Sequence, residues 1–190
     1  MKKFWLDLET TGLNPSRHSI IQIAGIIEID GVEKETFCFQ VRPLKGTAVS
    51  NKALEVCRTS VAQLKTYPDP TTVKQDLIDM FNKYIDPYDK KDKFIFLGYN
   101  AKFDYDFFRA WFDKQNFSYF GSFFWFPPVD VMNLVAYKIM EERPNMINFK
   151  LFQVCKYFDI EVNEDELHDA LYDIELTKQL YVRVTQQKNN

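Results

Sequence analysis

Cysteine and histidine are scarce in this 190-residue chain, which has three cysteines and two histidines. Cys38, Cys57 and Cys155 lie far apart, form no CxxC pair and have no useful spacing to either histidine. This pattern argues against a disulfide framework and against a zinc site. Thiols used so sparingly suit a reducing compartment, and we expect a cytoplasmic protein.

Long apolar runs and an excess of positive charge are also missing. Two lysines open the chain, but Asp7 interrupts any hydrophobic region of a signal peptide, and no apolar stretch reaches membrane-spanning length. We therefore expect no membrane partner. The formal net charge of −3 excludes the broad basic surface that holds long duplex DNA. Any contact with nucleic acid should be short, or helped by bound cations.

Apolar and aromatic residues are what the chain has in quantity. Hydrophobic residues make up 46% and charged residues 27%, which is typical of a globular protein rather than a disordered one. Aromatic residues reach 16%, with 18 phenylalanines, so we expect an aromatic core. The length suits one domain over residues 1–190, and no repeat or linker divides it.

The stretch WLDLETTGLN, residues 5–14, places two carboxylates inside an apolar segment. Residues 3–8 are typical of a buried strand, and TTG at 10–12 predicts the turn that ends it. Because side chains alternate along a strand, Asp7 and Glu9 should share one face. Two adjacent, partly buried anions repel each other and lose hydration. The pair is therefore either solvated or compensated by positive charge.

The rest of the chain predicts an α/β fold with a mixed sheet flanked by helices. Asp30-Gly31 predicts a hairpin, so three antiparallel strands should open the domain before helices alternate with strands. The predicted strands are 3–8, 19–30, 35–43, 94–99 and a short one near 124–126. The predicted helices are an irregular one over 50–66, then 71–85, 101–115, 130–142, 148–157 and 167–186.

A second group of acids follows the strand predicted at 94–99. Asn100 is a natural N-cap, and Asp104 then lies near the first helical turn, where a negative charge suits the helix dipole. Asp106 faces well away from Asp104 on a helix, so only one of the two can meet a given site. An aromatic stripe runs along one face of this predicted helix and consists of Phe103, Phe107 and Trp111. Such a stripe is more typical of core packing than of a base-stacking platform.

A third group lies where the last helix is predicted to begin. Asp173 shares a helical face with Ala170 and Thr177, and small residues beside an acid leave room for a ligand. Asp169, four residues before Asp173, is a rival for any role given to it. His168 falls in the preceding loop or the first turn, where a single histidine is usually a surface or capping residue.

Taken in order, the segments DLE with TTG, then NAKFD, then HDALYD resemble the DEDDh 3′-to-5′ exonucleases. That family includes the proofreading subunit of the bacterial replicative polymerase, ribonuclease T and oligoribonuclease. The resemblance extends from Phe4 to about Val184. It implies a ribonuclease H-like fold, with a mixed five-stranded sheet whose three leading strands are antiparallel. It also implies metal-dependent hydrolysis at single-stranded or frayed 3′ ends, releasing nucleoside 5′-monophosphates.

The resemblance also implies roles for individual residues. Four carboxylates would hold two Mg²⁺ or Mn²⁺ ions, and His168 would be the general base. Asn100 and Phe103 match supporting positions of the second motif. The residues implied around the 3′-terminal nucleotide are Thr10, Gly12 and Leu13. The carboxylates implied as metal ligands are Asp7, Glu9, Asp104 and Asp173.

Two segments depart from the family pattern or have no role in it. Residues 55–60, EVCRTS, replace a histidine-glycine turn that relatives often have, which puts substrate contacts there in doubt. Residues 117–128 are unusually aromatic, and no function is assigned to them.

Several alternatives stay open from the sequence. The expected partner is the 3′ end of single-stranded DNA or RNA, and the sequence does not choose between the two sugars. Polymerase association is open, although nothing after residue 184 resembles a clamp- or polymerase-binding tail. Rival readings are a catalytically silent nucleic-acid-binding or polymerase-associated module of the same fold, and an α/β scaffold with chance motifs. An oligoribonuclease-like enzyme is an alternative within the family, although DLETTGL lacks the methionine associated with that branch.

Overall fold

The computed structural model describes residues 1–166 and 169–186. Within them a five-stranded mixed sheet has the strand order β3-β2-β1-β4-β5, with β1 at its centre. The strands are β1 Lys2–Thr10, β2 Ile20–Ile29, β3 Val32–Gln40, β4 Ile95–Gly98 and β5 Val129–Asp130. The helices are α1 Asn51–Val56, α2 Val61–Leu64, α3 Pro70–Asn82, α4 Ala101–Asp113, α5 Phe120–Phe123, α6 Val131–Lys138, α7 Leu151–Tyr157 and α8 Ala170–Thr185.

The sheet has the topology that the sequence predicts. β1, β2 and β3 are antiparallel neighbours, while β4 and β5 run parallel to β1. The hairpin between β2 and β3 turns at Asp30 and Gly31, with φ values of 51° and 83°. Two successive positive φ angles are those of a type I′ turn, which Asp-Gly favours. The predicted α/β fold, with three leading antiparallel strands, is therefore confirmed.

Alternation along β1 separates two cores on the two faces of the sheet. Phe4, Leu6 and Leu8 are buried in an aromatic cluster with residues of α3, α4 and α5. The ring of Phe4 lies 5.1–6.2 Å, centroid to centroid, from six other phenylalanine rings. Trp5 belongs to the second cluster, with α6, α7 and α8, and its ring lies 5.3 Å from that of Tyr181. The predicted aromatic core is confirmed.

The aromatic segment 117–128 contributes to the first of these cores. Phe120, Phe123 and Phe124 are buried there, and the rings of Phe120 and Phe124 lie 4.8 Å apart. Core packing accounts for these three rings, whereas Trp125 and Phe126 are exposed.

The predicted strand near 124–126 is wrong in position. Phe124 forms only an isolated bridge with Phe94, and β5 comes later, at Val129–Asp130. Pro127 and Pro128 lack the backbone N–H that a ladder needs, so regular pairing begins only after them.

The predicted helix over 50–66 is two short helices, α1 and α2. Arg58, with φ 48°, ends the first, and the Ser60 side chain accepts a hydrogen bond from the backbone N of Gln63 to begin the second. Two other helices are shorter than predicted, ending at Lys138 in α6 and beginning at Leu151 in α7. The start predicted for the last helix lies outside the described residues, and α8 is described from Ala170. No helix of the described chain is both long and apolar enough to cross a membrane.

Candidate active site

Asp7 and Glu9 lie on one face of β1 at its carboxyl end. Both are partly buried, while Leu6 and Leu8 point to the opposite face and into the aromatic core, as the alternation predicts. Glu9 is paired with Gln22 of β2, but the next pair skips one β2 residue. Such a β-bulge bends a strand locally and is common beside active sites. Asp7 and Glu9 therefore lie at the end of β1, where its regular pairing with β2 is interrupted.

The skipped residue, Ile21, positions the segment that lines one side of the site. It packs with Leu54 of α1 and Leu64 of α2 in a small third cluster, against which Cys57 also packs. This contact holds the segment after α1 over the end of β1. Cys57 Sγ then donates a hydrogen bond to Glu9 Oε2 at 2.9 Å.

Asp104 reaches the same place from the first turn of α4. Its side chain is only 4% exposed, and its Oδ1 accepts a hydrogen bond from the backbone N of Leu8 at 3.2 Å. Since Leu8 separates Asp7 from Glu9, this bond brings the second predicted motif to the first. Asp106 instead pairs with Lys102 at the helix surface. Dipole compensation alone does not explain a buried carboxylate, so Asp104 is the member of the pair that meets the site.

Asn100 begins α4, as predicted, but by a different mechanism. Its backbone is left-handed, with φ 59° and ψ 42°, and its side chain makes no capping hydrogen bond. Asparagine tolerates this conformation better than most residues. The backbone N of Asn100 donates to Asp130 Oδ1 at 3.0 Å, so Asp130 at the end of β5 helps to hold the turn that carries Asp104.

Asp169 and Asp173 occupy different positions at the start of α8. Asp169 is the N-cap of α8, where its Oδ1 accepts hydrogen bonds from the backbone N of Leu171 and of Tyr172. Asp173 lies one turn further along, and its charge raises the pKa of Asp7 more than the charge of Asp169 does. Asp173 therefore stays the predicted third-motif carboxylate, and Asp169 its rival. The predicted neighbours of Asp173 are the small, buried residues Ala170 and Thr177. Their small size lets α8 pack closely onto the sheet.

Asp7 and Asp104 carry a large electrostatic penalty. The pKa of Asp7 is raised well above its ordinary value, first by burial and then by the charges of Asp104, Glu9 and Asp173. Burial likewise raises the pKa of Asp104, although the Leu8 N–H opposes the shift. None of the ion pairs in the described parts of the chain includes either acid. Positive charge from outside the protein would remove the penalty.

The donors gathered here suit a hard divalent cation. Carboxylate oxygens are the ligands that Mg²⁺ and Mn²⁺ prefer. Over residues 1–166 and 169–186, no three acidic, thiol or imidazole groups are already arranged to ligate one ion. The fit therefore rests on the all-oxygen donor set and its mutual repulsion. His168, predicted as the general base, lies outside the described residues.

A cleft of about 470 Å³ lies beside Glu9. Thr10, Gly12, Leu13 and Phe103, four of the five residues predicted to contact or support the substrate, line it, whereas Asn100 does not. Leu13 is 84% exposed, so its side chain is accessible to a ligand in the cleft. Phe103 departs from the predicted core stripe, since it is only partly buried while Phe107 and Trp111 are buried.

Several lining residues of this cleft were not found from the sequence, and three of them carry titratable side chains. Lys52 and Cys57 come from α1 and the turn after it, and His18 comes from the loop before β2. EVCRTS marked the Cys57 turn as unusual, but no motif pointed to Lys52 or His18. The His18 ring packs so closely on Gly12 that a Cβ there would lie 2.4 Å from its Cδ2 and Nε2 atoms. Gly12 is therefore required for this packing.

Comparison with known proteins identifies similar chains. A family profile described as "Exonuclease" matches residues 4–181. Ribonuclease T from Buchnera aphidicola is 26% identical over 187 residues, covering 94% of this chain and 81% of the relative. A PolC-type DNA polymerase III from Bacillus subtilis is 28% identical over 188 residues, which cover 94% of this chain but 11% of that protein.

Solved structures share the fold at lower sequence identity. Escherichia coli exonuclease I in complex with a dT13 oligonucleotide superposes with a TM-score of 0.72 at 19% identity, over 96% of this chain. The zinc-bound form of that exonuclease with single-stranded DNA gives a TM-score of 0.75 at 18% identity. In both cases this chain spans 41% of the exonuclease I chain. The likeness confirms the predicted ribonuclease H-like fold.

Proposed function

This chain belongs to the exonuclease family, and from that premise we propose that it removes nucleotides from single-stranded 3′ ends by metal-dependent hydrolysis. Membership confirms the predicted resemblance and the prediction of a 3′-to-5′ exonuclease. The observation that carries the finer proposal is the cluster of acids around Asp7, whose pKa is raised by burial and by three of its proposed co-ligands. We treat residues 1–190 as a single exonuclease domain.

Asp7, Glu9, Asp104 and Asp173 would hold two Mg²⁺ or Mn²⁺ ions. When bound, two such ions supply Lewis acidity toward a phosphodiester and toward an attacking water. The zinc-bound form of the exonuclease I complex with single-stranded DNA supports dependence on a divalent cation. The cations would also offset the repulsion between the acids and add the positive charge that this acidic chain lacks.

The chain's own residues bind the strand and move the proton. Exposed apolar surface at Leu13 and Phe103 packs against the terminal nucleotide. The turn at Gly12, against which the His18 ring packs, positions Leu13 for this contact. Thr10 Oγ1 donates to Gly12 O at 2.8 Å, which holds the turn in place. His168, in its neutral form, would accept the proton from the attacking water. The products are a shortened strand and a nucleoside 5′-monophosphate.

Metal binding should stabilise the protein, and more strongly at higher pH. Asp7 and Asp104 have folded-state pKa values above their unfolded values, so the folded state binds more protons. Their contribution to stability therefore falls as pH rises from the unfolded pKa through the folded pKa, and bound cations remove that loss. We expect saturating Mn²⁺ to raise the melting temperature by roughly 5–10 °C at about pH 8, and by less at about pH 5.

Thermal denaturation in EDTA and in Mn²⁺ at both pH values measures this effect. The Asp7→Asn variant is the control, because it removes one of the two raised pKa values and should flatten the pH dependence. An equal Mn²⁺ shift at both pH values in the wild-type protein would argue against these carboxylates as the binding site.

Digestion should require a free 3′ hydroxyl end. The cleft beside Glu9 is proposed to hold a terminal nucleotide, so a 3′-phosphate or a covalently closed circle should resist attack while the matched linear strand is degraded. Matched 5′-labelled DNA and RNA oligomers, with and without each block, measure both polarity and sugar preference. Rapid cleavage of the circle would show an endonuclease and overturn the terminal-nucleotide assignment of Thr10, Gly12 and Leu13.

A further inference from the structure

Arg58 is a cationic side chain beside the proposed catalytic carboxylates. It directly follows Cys57, the residue that donates to Glu9, and it is exposed. Two cavities, of about 500 Å³ and about 280 Å³, are both lined by Arg58, and the smaller is also lined by Glu9. Among the described residues lining these two cavities, Arg58 is the only lysine or arginine. No ion pair within the described parts of the chain includes it.

The backbone at Arg58 is one that glycine would adopt more easily. Arg58 has φ 48° and occupies the position just after the C-cap of α1. Thr59 N donates to Leu54 O at 3.0 Å and Arg58 N to Glu55 O at 3.3 Å, the two hydrogen bonds of a Schellman motif. Glycine is the preferred residue there, since a Cβ is strained in the left-handed region. The chain thus keeps a strained arginine next to its acidic site, a combination that points to function.

We propose that Arg58 binds a backbone phosphate of the single-stranded substrate beside the cleft. The inference rests on the proposed function, because it assumes that a nucleic-acid strand reaches Glu9. A guanidinium presents a planar fork of donors that matches two phosphate oxygens. The acids that line the larger cavity and repel an anion are Asp165, Glu166 and Asp169, so Arg58 is the one cation among its described lining residues that can attract a phosphate. Its contribution is to substrate affinity, not to bond cleavage.

Arg58→Gly separates this role from a structural one. The variant relaxes the backbone, so its melting temperature should stay the same or rise by about 2–4 °C. Its dissociation constant for a 5′-fluorescein oligothymidylate or oligouridylate, measured by anisotropy in Ca²⁺, should increase about tenfold. The slope of log affinity against log KCl should shrink by about 0.7, the value for one single-strand phosphate contact. Arg58→Lys keeps the charge and should recover most of the slope.

Two matched controls isolate the backbone and the charge. Asp159 occupies the same position after α7, with φ 54° and the same two hydrogen bonds, from Ile160 N to Cys155 O and from its own N to Lys156 O. Asp159→Gly should change the melting temperature without changing oligonucleotide affinity. Lys90 lies in the loop leading to the amino end of β4, the sheet edge opposite the site, and Lys90→Gln should leave affinity and salt slope unchanged.

Wild-type digestion of the same strands with Mg²⁺ distinguishes the possible failures. If the wild-type protein digests the strand but Arg58→Gly keeps the wild-type dissociation constant and salt slope, the assignment of Arg58 is overturned while the proposed function stands. If Arg58→Gly lowers the melting temperature and leaves the salt slope unchanged, Arg58 has a structural role, and its assignment to phosphate binding is overturned as well. A wild-type protein that neither binds nor digests either strand overturns both proposals.

Discussion

Asp7→Asn should lower nuclease turnover by about three orders of magnitude or more while raising the melting temperature of the metal-free protein. Loss of a proposed metal-binding carboxylate removes several kcal/mol of transition-state stabilisation, and each 1.36 kcal/mol is about tenfold in rate. Asparagine keeps the shape of the side chain but removes the charge of a partly buried carboxyl, whose pKa is raised by desolvation and by Asp104. Steady-state digestion in Mg²⁺ and thermal denaturation in EDTA measure the two effects.

Asp173→Asn should lose turnover to a similar extent, and Asp169→Asn is its matched control. Asparagine is as good an N-cap as aspartate, so Asp169→Asn should keep both the start of α8 and most of the activity. The two variants remove one negative charge each from the same helix, four residues apart. An inactive Asp169→Asn protein beside an active Asp173→Asn protein would reverse the assignment of the third motif. Full activity in Asp7→Asn would instead exclude the proposed metal site.

His168→Ala should lower the turnover rate by about 10²–10⁴-fold, the usual contribution of a positioned acid or base. The four carboxylates are proposed to hold the cations, so the Mn²⁺-induced rise in melting temperature should persist. The rate of the wild-type protein should rise with pH as a neutral base becomes available, and that dependence should be lost from the residual activity. Profiles of rate against pH at saturating Mn²⁺ test both statements.

His18, the other histidine of the chain, is the control for this assignment. His18 lines the cleft beside Glu9 and packs on Gly12, so it is the alternative source of a titrating imidazole. A near-normal rate and an unchanged profile in His168→Ala, with the pH dependence lost in His18→Gln, would transfer the role of base to His18.

Much of the fold could be predicted because its signals are local. Alternation in β1 put Asp7 and Glu9 opposite Leu6 and Leu8, and Asp30-Gly31 fixed the hairpin that makes the leading strands antiparallel. The four candidate metal-binding carboxylates could be named because they lie in three segments whose order resembles that of one family. The structure brings Asp104 to Leu8 by a hydrogen bond and places the charge of Asp173 close enough to act on Asp7.

What could not be predicted depends on contacts between distant parts of the chain. Cys57 reaches Glu9 because a bulge at Ile21 packs against α1 and α2, and no periodicity in the sequence encodes that bulge. His18 is near Gly12 only once the loop before β2 folds back over the turn. The short β5 was misplaced because its pairing partner β4 lies far along the chain, and two prolines delay it.

Digestion of a 5′-labelled single strand, first in EDTA and then after addition of Mg²⁺, tests the central claim most directly. The account predicts an intact strand in EDTA, followed on Mg²⁺ addition by stepwise shortening from the 3′ end and release of nucleoside 5′-monophosphates. Shortening at full rate in EDTA, or release of nucleoside 3′-monophosphates, would contradict it.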